Sequence, residues 1–126
     1  MTYFQGTNEL HPKKLIEEVC RYMNANYSEN YPISQYAKMC NLSESRFSHL
    51  FKECTGSSPA KYILNIKIQR AKELLENTDL SILQISEIVG MQTQNYFSRV
   101  FKKHTGISPV KYRLQQTIQY NLRVQG

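Results

Sequence analysis

Apolar side chains recur along the chain at the helical spacing i, i+3, i+4 and i+7. Alternation of apolar and polar residues never persists for four positions with β-branched content, so no strand is predicted. The pattern predicts an amphipathic first helix over residues 12–26 and a long helix over residues 59–77. With shorter helices between and after these two, we expect an all-α protein of seven helices.

An internal repeat organises the shorter helices. Residues 46–62 and 96–112 are related by an offset of 50, and ten of their seventeen positions are identical. Upstream, the match continues at an offset of 49, so one residue is inserted in the second copy. Each copy is predicted to form a helix, a tight turn, a second helix and the start of a third.

The two copies carry the same signals for helix starts and ends. Asn and Gly tolerate the left-handed conformation that ends a helix, and Ser followed by Pro is typical of a helix start. Ser43 and the capping box at residues 81–84 begin further helices. The remaining signals are Asn41 and Gly90 in the turns, Gly56 and Gly106 after the second helices, and Ser58-Pro59 and Ser108-Pro109 before the third helices.

The second helix of each copy has an apolar and a polar face. The predicted inward residues are Phe47, Leu50, Phe51 and Cys54 in the first copy and Phe97, Val100, Phe101 and His104 in the second. The predicted outward residues are Ser45, Ser48, His49 and Lys52, and Asn95, Ser98, Arg99 and Lys102. Neither outward stripe contains a carboxylate, which would repel phosphates.

This arrangement is typical of a helix-turn-helix, whose second helix enters the DNA major groove. Arg, Asn, Gln, Ser and Thr side chains can hydrogen-bond base edges there. Any surface helix also carries outward polar residues, so the stripes alone do not distinguish DNA binding from ordinary solvation. The alternative is a helical protein-interaction module whose basic face meets an acidic partner.

The charge distribution favours a polyanionic partner. The formal net charge is +6. Residues 1–77 carry ten basic and eight acidic side chains, whereas residues 78–126 carry six basic and two acidic ones. Nucleic acid is therefore the first expectation for a partner, and an anionic membrane surface is a distant second.

Several function classes lack their sequence signals. No apolar run approaches the ~18 residues of a membrane span. No phosphate loop, nucleophile elbow or carboxylate pair is visible, so we expect neither an enzyme nor a cofactor. The histidines do not share a face at ligand spacing, so no metal site is expected, and His104 is predicted to be a core residue. The three cysteines are expected to be buried, reduced thiols of a cytosolic protein.

Residues 82–113 resemble the signature of the AraC/XylS-type bacterial transcription regulators, through Ile-Leu-Gln-Ile-Ser-Glu-Ile-Val-Gly-Met and Tyr-Phe-Ser-Arg-Val-Phe-Lys-Lys-His-Thr-Gly-Ile-Ser-Pro-Val-Lys-Tyr-Arg. The first copy resembles the weaker N-terminal half of that domain. The chain departs from the family pattern at Lys67, where Arg is frequent, and at Met91, where Phe is frequent. Both differences concern local packing only.

The resemblance implies two homeodomain-like helix-turn-helix subdomains, at residues 9–58 and 78–115, joined by a linking helix at residues 59–77. Residues 116–126 are expected to be a polar tail with a fraying helix. Residues 1–8 are expected to be either a tag remnant or a native linker. The recognition helices would enter successive major-groove segments on one face of double-stranded DNA.

The resemblance also implies site residues, which are the residues of this chain at the family's DNA-contacting positions. Bases would be contacted by Ser45, Arg46, Ser48 and His49 in the first copy and by Gln94, Asn95, Ser98 and Arg99 in the second. Phosphates would be contacted by Ser43, Lys52, Thr93, Lys102, Lys103 and Arg113.

Expected partners are promoter or operator DNA, RNA polymerase, and a sensing or dimerisation domain N-terminal to this segment. The expected location is the cytoplasm, in association with the nucleoid.

Overall fold

The computed structural model describes residues 11–125, so the expectations for residues 1–8 and for Gly126 lie outside it. Within the described range the chain has no strand, and the prediction of seven α-helices is confirmed. A single 3₁₀ turn, Tyr27–Glu29, was not predicted. The helices are α1 Pro12–Ala25, α2 Ile33–Met39, α3 Glu44–Thr55, α4 Pro59–Asn77, α5 Ile82–Ile88, α6 Gln94–Thr105 and α7 Pro109–Gln125.

The chain divides into two compact units, and the division falls between Ile66 and Lys67. This point lies inside helix α4, so α4 contributes its first half to one unit and its second half to the other. Each half of α4 therefore contributes side chains to its own unit, Tyr62, Ile63 and Ile66 to the first and Ile68, Ala71 and Leu75 to the second.

The core of the first unit is formed where α1, α2 and α3 meet. Phe47 and Phe51 of α3 are fully buried, with ring centroids 5.7 Å apart. Tyr62 of α4 packs edge-on against Phe51 at a centroid distance of 5.3 Å. The buried residues around them are Leu15, Ile16, Val19, Met23, Tyr36, Ala37, Met39 and Cys40.

The second unit repeats this aromatic arrangement. Phe97 and Phe101 of α6 are fully buried at 5.7 Å, and Tyr112 of α7 packs edge-on against Phe101 at 5.5 Å. The other buried apolar residues of this unit are Ile68, Ala71, Leu75, Ile85, Val89, Met91 and Pro109. The sequence repeat is therefore also a repeat of core packing.

The predicted helix ends are confirmed where they depend on local geometry. The Ser43 hydroxyl accepts the backbone N–H of Arg46 at 3.1 Å, and Ser81 and Gln84 form the full capping box. Asn41 has a φ of 58° and Gly90 a φ of 76°, so both turns use the left-handed conformation expected of them.

Three predicted inward residues lie on the surface instead: Cys54 and His104 of the second helices, and Ile88, which the apolar spacing of Ile82, Ile85, Ile88 and Val89 also places on an inward face. Cys54 and His104, which follow the buried phenylalanines by three positions, are exposed. The inward faces end at Phe51 and Phe101, because the tyrosine rings of α4 and α7 pack against them and the last helical turns continue into solvent. Ile88 is 42% exposed, since Ile85 and Val89 fill the core side of α5.

Two basic residues of the second unit bond to backbone carbonyls. Lys67 is only 7% exposed, and its Nζ donates to the carbonyl oxygen of Gly90 at 3.3 Å. Burial lowers the pKa of Lys67. The guanidinium of Arg113 donates to the carbonyl oxygens of Leu75, at 3.1 Å, and Thr78, at 3.2 Å. Both residues satisfy carbonyls at helix ends.

Tyr112 adds a side-chain bond beside those of Arg113. Its hydroxyl donates to Glu76 Oε2 at 2.6 Å. Burial, together with this hydrogen bond, raises the pKa of Tyr112 to about 12. The start of α7 is thereby held to the end of α4 within the second unit.

The expected polar tail is helical as far as Gln125, because α7 continues through it. Its side chains from Thr117 onward are exposed, and they include Ile118, Leu122 and Val124. No helix within residues 11–125 is long and apolar enough to cross a membrane.

We expect Phe51→Ala and Phe101→Ala each to lower the free energy of unfolding by about 3–5 kcal/mol, because each removes a fully buried ring. Urea unfolding followed by circular dichroism measures the loss. Cys54→Ala and His104→Ala are the matched controls, since both side chains are exposed, and each should change stability by less than about 0.5 kcal/mol. A control as damaging as its phenylalanine partner would refute the assignment of faces.

We expect Arg113→Met to destabilise the second unit by about 1–3 kcal/mol, because two charge-assisted hydrogen bonds to α4 and the following residue are lost. Arg123→Met, at an exposed position of the same helix, is the control for loss of a charge. Equal stability of the two variants in urea would contradict the capping role of Arg113.

Candidate nucleic-acid interface

Helix α3 presents the first set of predicted base-contacting residues. Ser45, Arg46 and His49 are exposed, and Ser48 is half-buried. Lys52 is exposed one turn beyond His49. The helical spacing brings Ser45, Ser48, His49 and Lys52 onto one side of α3, opposite Phe47 and Phe51.

The expectation of a carboxylate-free stripe needs correction for α3. Glu53 Oε2 lies 3.7 Å from His49 Nε2, so a carboxylate reaches the residue that was expected to contact DNA. Glu44 occupies the first turn of the same helix. Helical spacing does not reveal the contact between His49 and Glu53, because Glu53 is adjacent to the stripe on the helical wheel and its long side chain extends toward His49.

Helix α6 presents the second set and carries no acidic residue. Asn95 and Arg99 are exposed, and Ser98 is half-buried. Gln94 opens the helix, and its last turn contains Lys102, Lys103 and His104. All of its formal charges are positive, so the expectation of an acid-free stripe agrees with the structure here.

The difference between the two helices arises at repeat-related positions. Glu44 of α3 corresponds to Gln94 of α6, and Glu53 corresponds to Lys103. Counted without histidines, helix α3 carries two acidic and two basic residues, and its formal charges cancel. Helix α6 carries three basic residues and no acidic one. The two second helices therefore share their core packing but differ by three units of formal charge.

The N-terminal ends of α3 and α6 are capped by side chains that were expected to contact phosphate. The Thr93 hydroxyl accepts the backbone N–H of Tyr96 at 3.0 Å, as Ser43 does for Arg46. Each hydroxyl accepts a bond in this role, so its own proton stays available to an acceptor such as a phosphate oxygen. The positive end of a helix dipole also favours an anion at this point.

Arg113 differs in its surroundings from the lysines that were expected to contact phosphate. Its guanidinium is half-buried and bonded to the carbonyls of Leu75 and Thr78. Lys52, Lys102 and Lys103 are exposed on the recognition helices. These two bonds give Arg113 a capping role at the end of α4, and its contact with phosphate stays a prediction.

One exposed aromatic residue was missed among the candidate residues. Tyr96 is 42% exposed, and the guanidinium carbon of Arg99 lies 5.8 Å from its ring centroid. Tyr96 occupies the repeat position of Arg46, which was itself a candidate. This correspondence in the repeat was the sequence signal that could have identified Tyr96 as a candidate.

The cysteines and acidic residues offer no metal centre within the described range. No three His, Cys, Asp or Glu side chains lie together there. Cys40 is buried, which raises the pKa of its thiol to about 12, so it is protonated at neutral pH. Cys20 is half-buried and Cys54 is exposed, which corrects the expectation of three buried thiols.

Comparison with known sequences identifies the family. A family profile described as a helix-turn-helix domain matches residues 36–115. The HTH-type transcriptional regulator GbdR of Pseudomonas aeruginosa is 30% identical over 90 residues, which are 71% of this chain and 23% of that protein. The arabinose operon regulatory protein of Escherichia coli is 39% identical over 96 residues, which are 73% of this chain and 33% of that protein. The chain thus spans about a quarter to a third of these relatives.

Solved structures share the fold. The C-terminal domain of AraT, a response regulator from Geobacillus stearothermophilus, matches with a TM-score of 0.77 and 33% identity, covering 80% of this chain and 84% of that one. The DNA-binding domain of AdpA, solved in complex with a target DNA, matches with a TM-score of 0.80 and 24% identity, covering 88% and 97%. The second likeness supports the fold alone. Given the duplicated helix-turn-helix, the matching profile and these relatives, the chain belongs to the AraC-type family of helix-turn-helix transcription regulators.

Proposed function

We propose that this chain binds double-stranded DNA with sequence preference, as the DNA-binding part of a bacterial transcription regulator. The observation that carries the proposal is helix α6, which exposes amide and guanidinium groups on one side and has no carboxylate. The buried pair Phe97 and Phe101 lies on the opposite side of the same helix, so the polar side is free to enter the major groove.

The second copy is proposed to supply most of the sequence preference. Asn95 and Gln94 are suited to adenine and Arg99 to guanine, because each can form two hydrogen bonds with that base. Ser98 is short and half-buried, so it suits a close approach of the helix to the groove. These residues occupy the first two turns of α6, the part of a recognition helix that contacts base edges.

The first copy is proposed to contribute less. Ser45 and Ser48 are short, and His49 faces the carboxylate of Glu53. Arg46 is the one long cationic candidate in the first turn of α3. Because the two helices differ in their outward residues, their half-sites should differ, and the preferred DNA site should not be a palindrome.

Phosphate contacts are proposed for Lys52, Lys102 and Lys103, and for the hydroxyls and backbone N–H groups at Ser43 and Thr93. Contacts of this kind hold a protein in register on DNA but do not distinguish sequences. They would supply the salt-dependent part of the affinity.

Membership of the family supports a wider proposed role. A sensing or dimerisation domain N-terminal to this segment would control it, and binding at a promoter would recruit or block RNA polymerase in the cytoplasm, in association with the nucleoid. The proposed activity is binding alone, without a catalytic step or cofactor. The second candidate function, a protein-interaction module, rests on the basic surface of α6 and predicts no preference among DNA sequences.

The test begins with selection of duplexes from a random-sequence pool by the wild-type chain. Arg99→Ala should weaken binding to the selected duplex by about 1–3 kcal/mol and to a scrambled duplex much less, because a bidentate base contact is lost. Lys102→Ala should weaken both about equally and flatten the salt dependence by about one unit. Fluorescence anisotropy at two salt concentrations measures both effects. Failure of the pool to enrich any sequence would favour the protein-interaction alternative.

The charge difference between the two copies has its own consequence. Glu53→Lys should raise affinity for a scrambled duplex and steepen the log–log salt dependence by about one unit, because Glu53 adjoins the proposed phosphate contact Lys52. Lys103→Glu should do the reverse, because Lys103 is itself a proposed phosphate contact. Glu29→Lys, at an exposed position outside both recognition helices, is the control for total charge. If Glu29→Lys changes the affinity and the salt dependence as much as Glu53→Lys does, the position of the charge on α3 has no special effect.

A further inference from the structure

Tyr96 and Arg99 form a side-chain pair on the outward side of α6. They are separated by three positions, so they lie on neighbouring turns of one face. The guanidinium carbon lies 5.8 Å from the ring centroid, within the range of a cation–π interaction. Tyr96 is 42% exposed, so its side chain is not part of the core.

Tyr96 and Arg99 line a groove on the surface of α6. The backbone of Tyr96 is held in the first turn of α6 by the bond from its N–H to Thr93 Oγ1. Val100 and Lys103 complete a shallow groove of about 260 Å³ along the same side of the helix as Tyr96 and Arg99. The helix backbone therefore anchors Tyr96, and its exposed ring is the surface over which the Arg99 guanidinium lies.

The first copy has no equivalent of this pair. Arg46 occupies the position of Tyr96, and His49 occupies that of Arg99. His49 is directed toward Glu53 instead of an aromatic ring. The arrangement therefore belongs to α6 alone, the helix with the greater positive charge.

We propose that Tyr96 is a positioning residue, which holds the Arg99 guanidinium in the orientation that contacts a guanine edge. The inference rests on the proposed function, since it concerns how α6 recognises its site. An arginine loses rotamer freedom when it binds, and a ring that already restricts the side chain reduces that loss. A cation–π contact leaves the N–H donors of the guanidinium available to a base edge, whereas a salt bridge to a carboxylate would occupy some of them.

The free protein provides the first test. A guanidinium over an aromatic face should show upfield ring-current shifts of the Arg99 Hδ and Nε–H resonances, and Tyr96→Leu should abolish them. Tyr120→Leu removes another exposed tyrosine, on α7, and should leave those resonances unchanged. Arg99 resonances that are identical in wild type and Tyr96→Leu would overturn the proposal without any DNA measurement.

The second test is a double-mutant cycle on the duplex that the wild-type chain selects from a random pool, with a scrambled duplex as reference. Tyr96→Leu should weaken binding to the selected duplex by about two- to fivefold, and Tyr96→Phe should retain the wild-type affinity because the ring remains. In the Arg99→Ala background, Tyr96→Leu should have no further effect.

The outcomes separate the two proposals. If Tyr96→Leu weakens binding equally with and without Arg99, the tyrosine contacts DNA itself and the positioning role is overturned, while DNA binding stands. If the pool enriches no sequence, the proposed function fails, and the positioning role fails with it.

Discussion

The edge-on contact between the second and third helix of each copy is the interaction on which the rest of the structure depends. Phe51 is buried against Tyr62, and Phe101 against Tyr112, with nearly the same geometry. Because these rings fix which side of α3 and α6 faces inward, they also determine which residues face solvent. The candidate DNA-contacting surfaces are a consequence of this core arrangement.

The two copies show how one packing arrangement can carry two different surfaces. The buried phenylalanines are the same, whereas the outward residues have diverged at Glu44 and Gln94, Glu53 and Lys103, and Arg46 and Tyr96. Substitutions at exposed helix positions have little effect on stability. The outer faces can therefore change in charge and shape while the helix-turn-helix geometry is maintained.

Positive charge in the second unit serves two separate purposes. Lys67 and Arg113 satisfy backbone carbonyls at the ends of α5 and α4. Lys102 and Lys103 extend from α6 into solvent. The net charge of the segment overstates the charge available to a polyanion, since a guanidinium bonded to two carbonyls has fewer donors left for a phosphate.

The sequence by itself determined the helices, the repeat, the turns and the family. These features depend on interactions within a few residues, such as the Ser43 cap and the left-handed Asn41, or on a periodicity visible along one helix. Tertiary structure decided how far each inward face extends, and so brought Cys54, His104 and Ile88 to the surface. It also decided the partners of Arg113, Glu53 and Arg99. Helical spacing shows on which side a long side chain leaves its helix, but where its charged end goes depends on the groups that packing brings within reach.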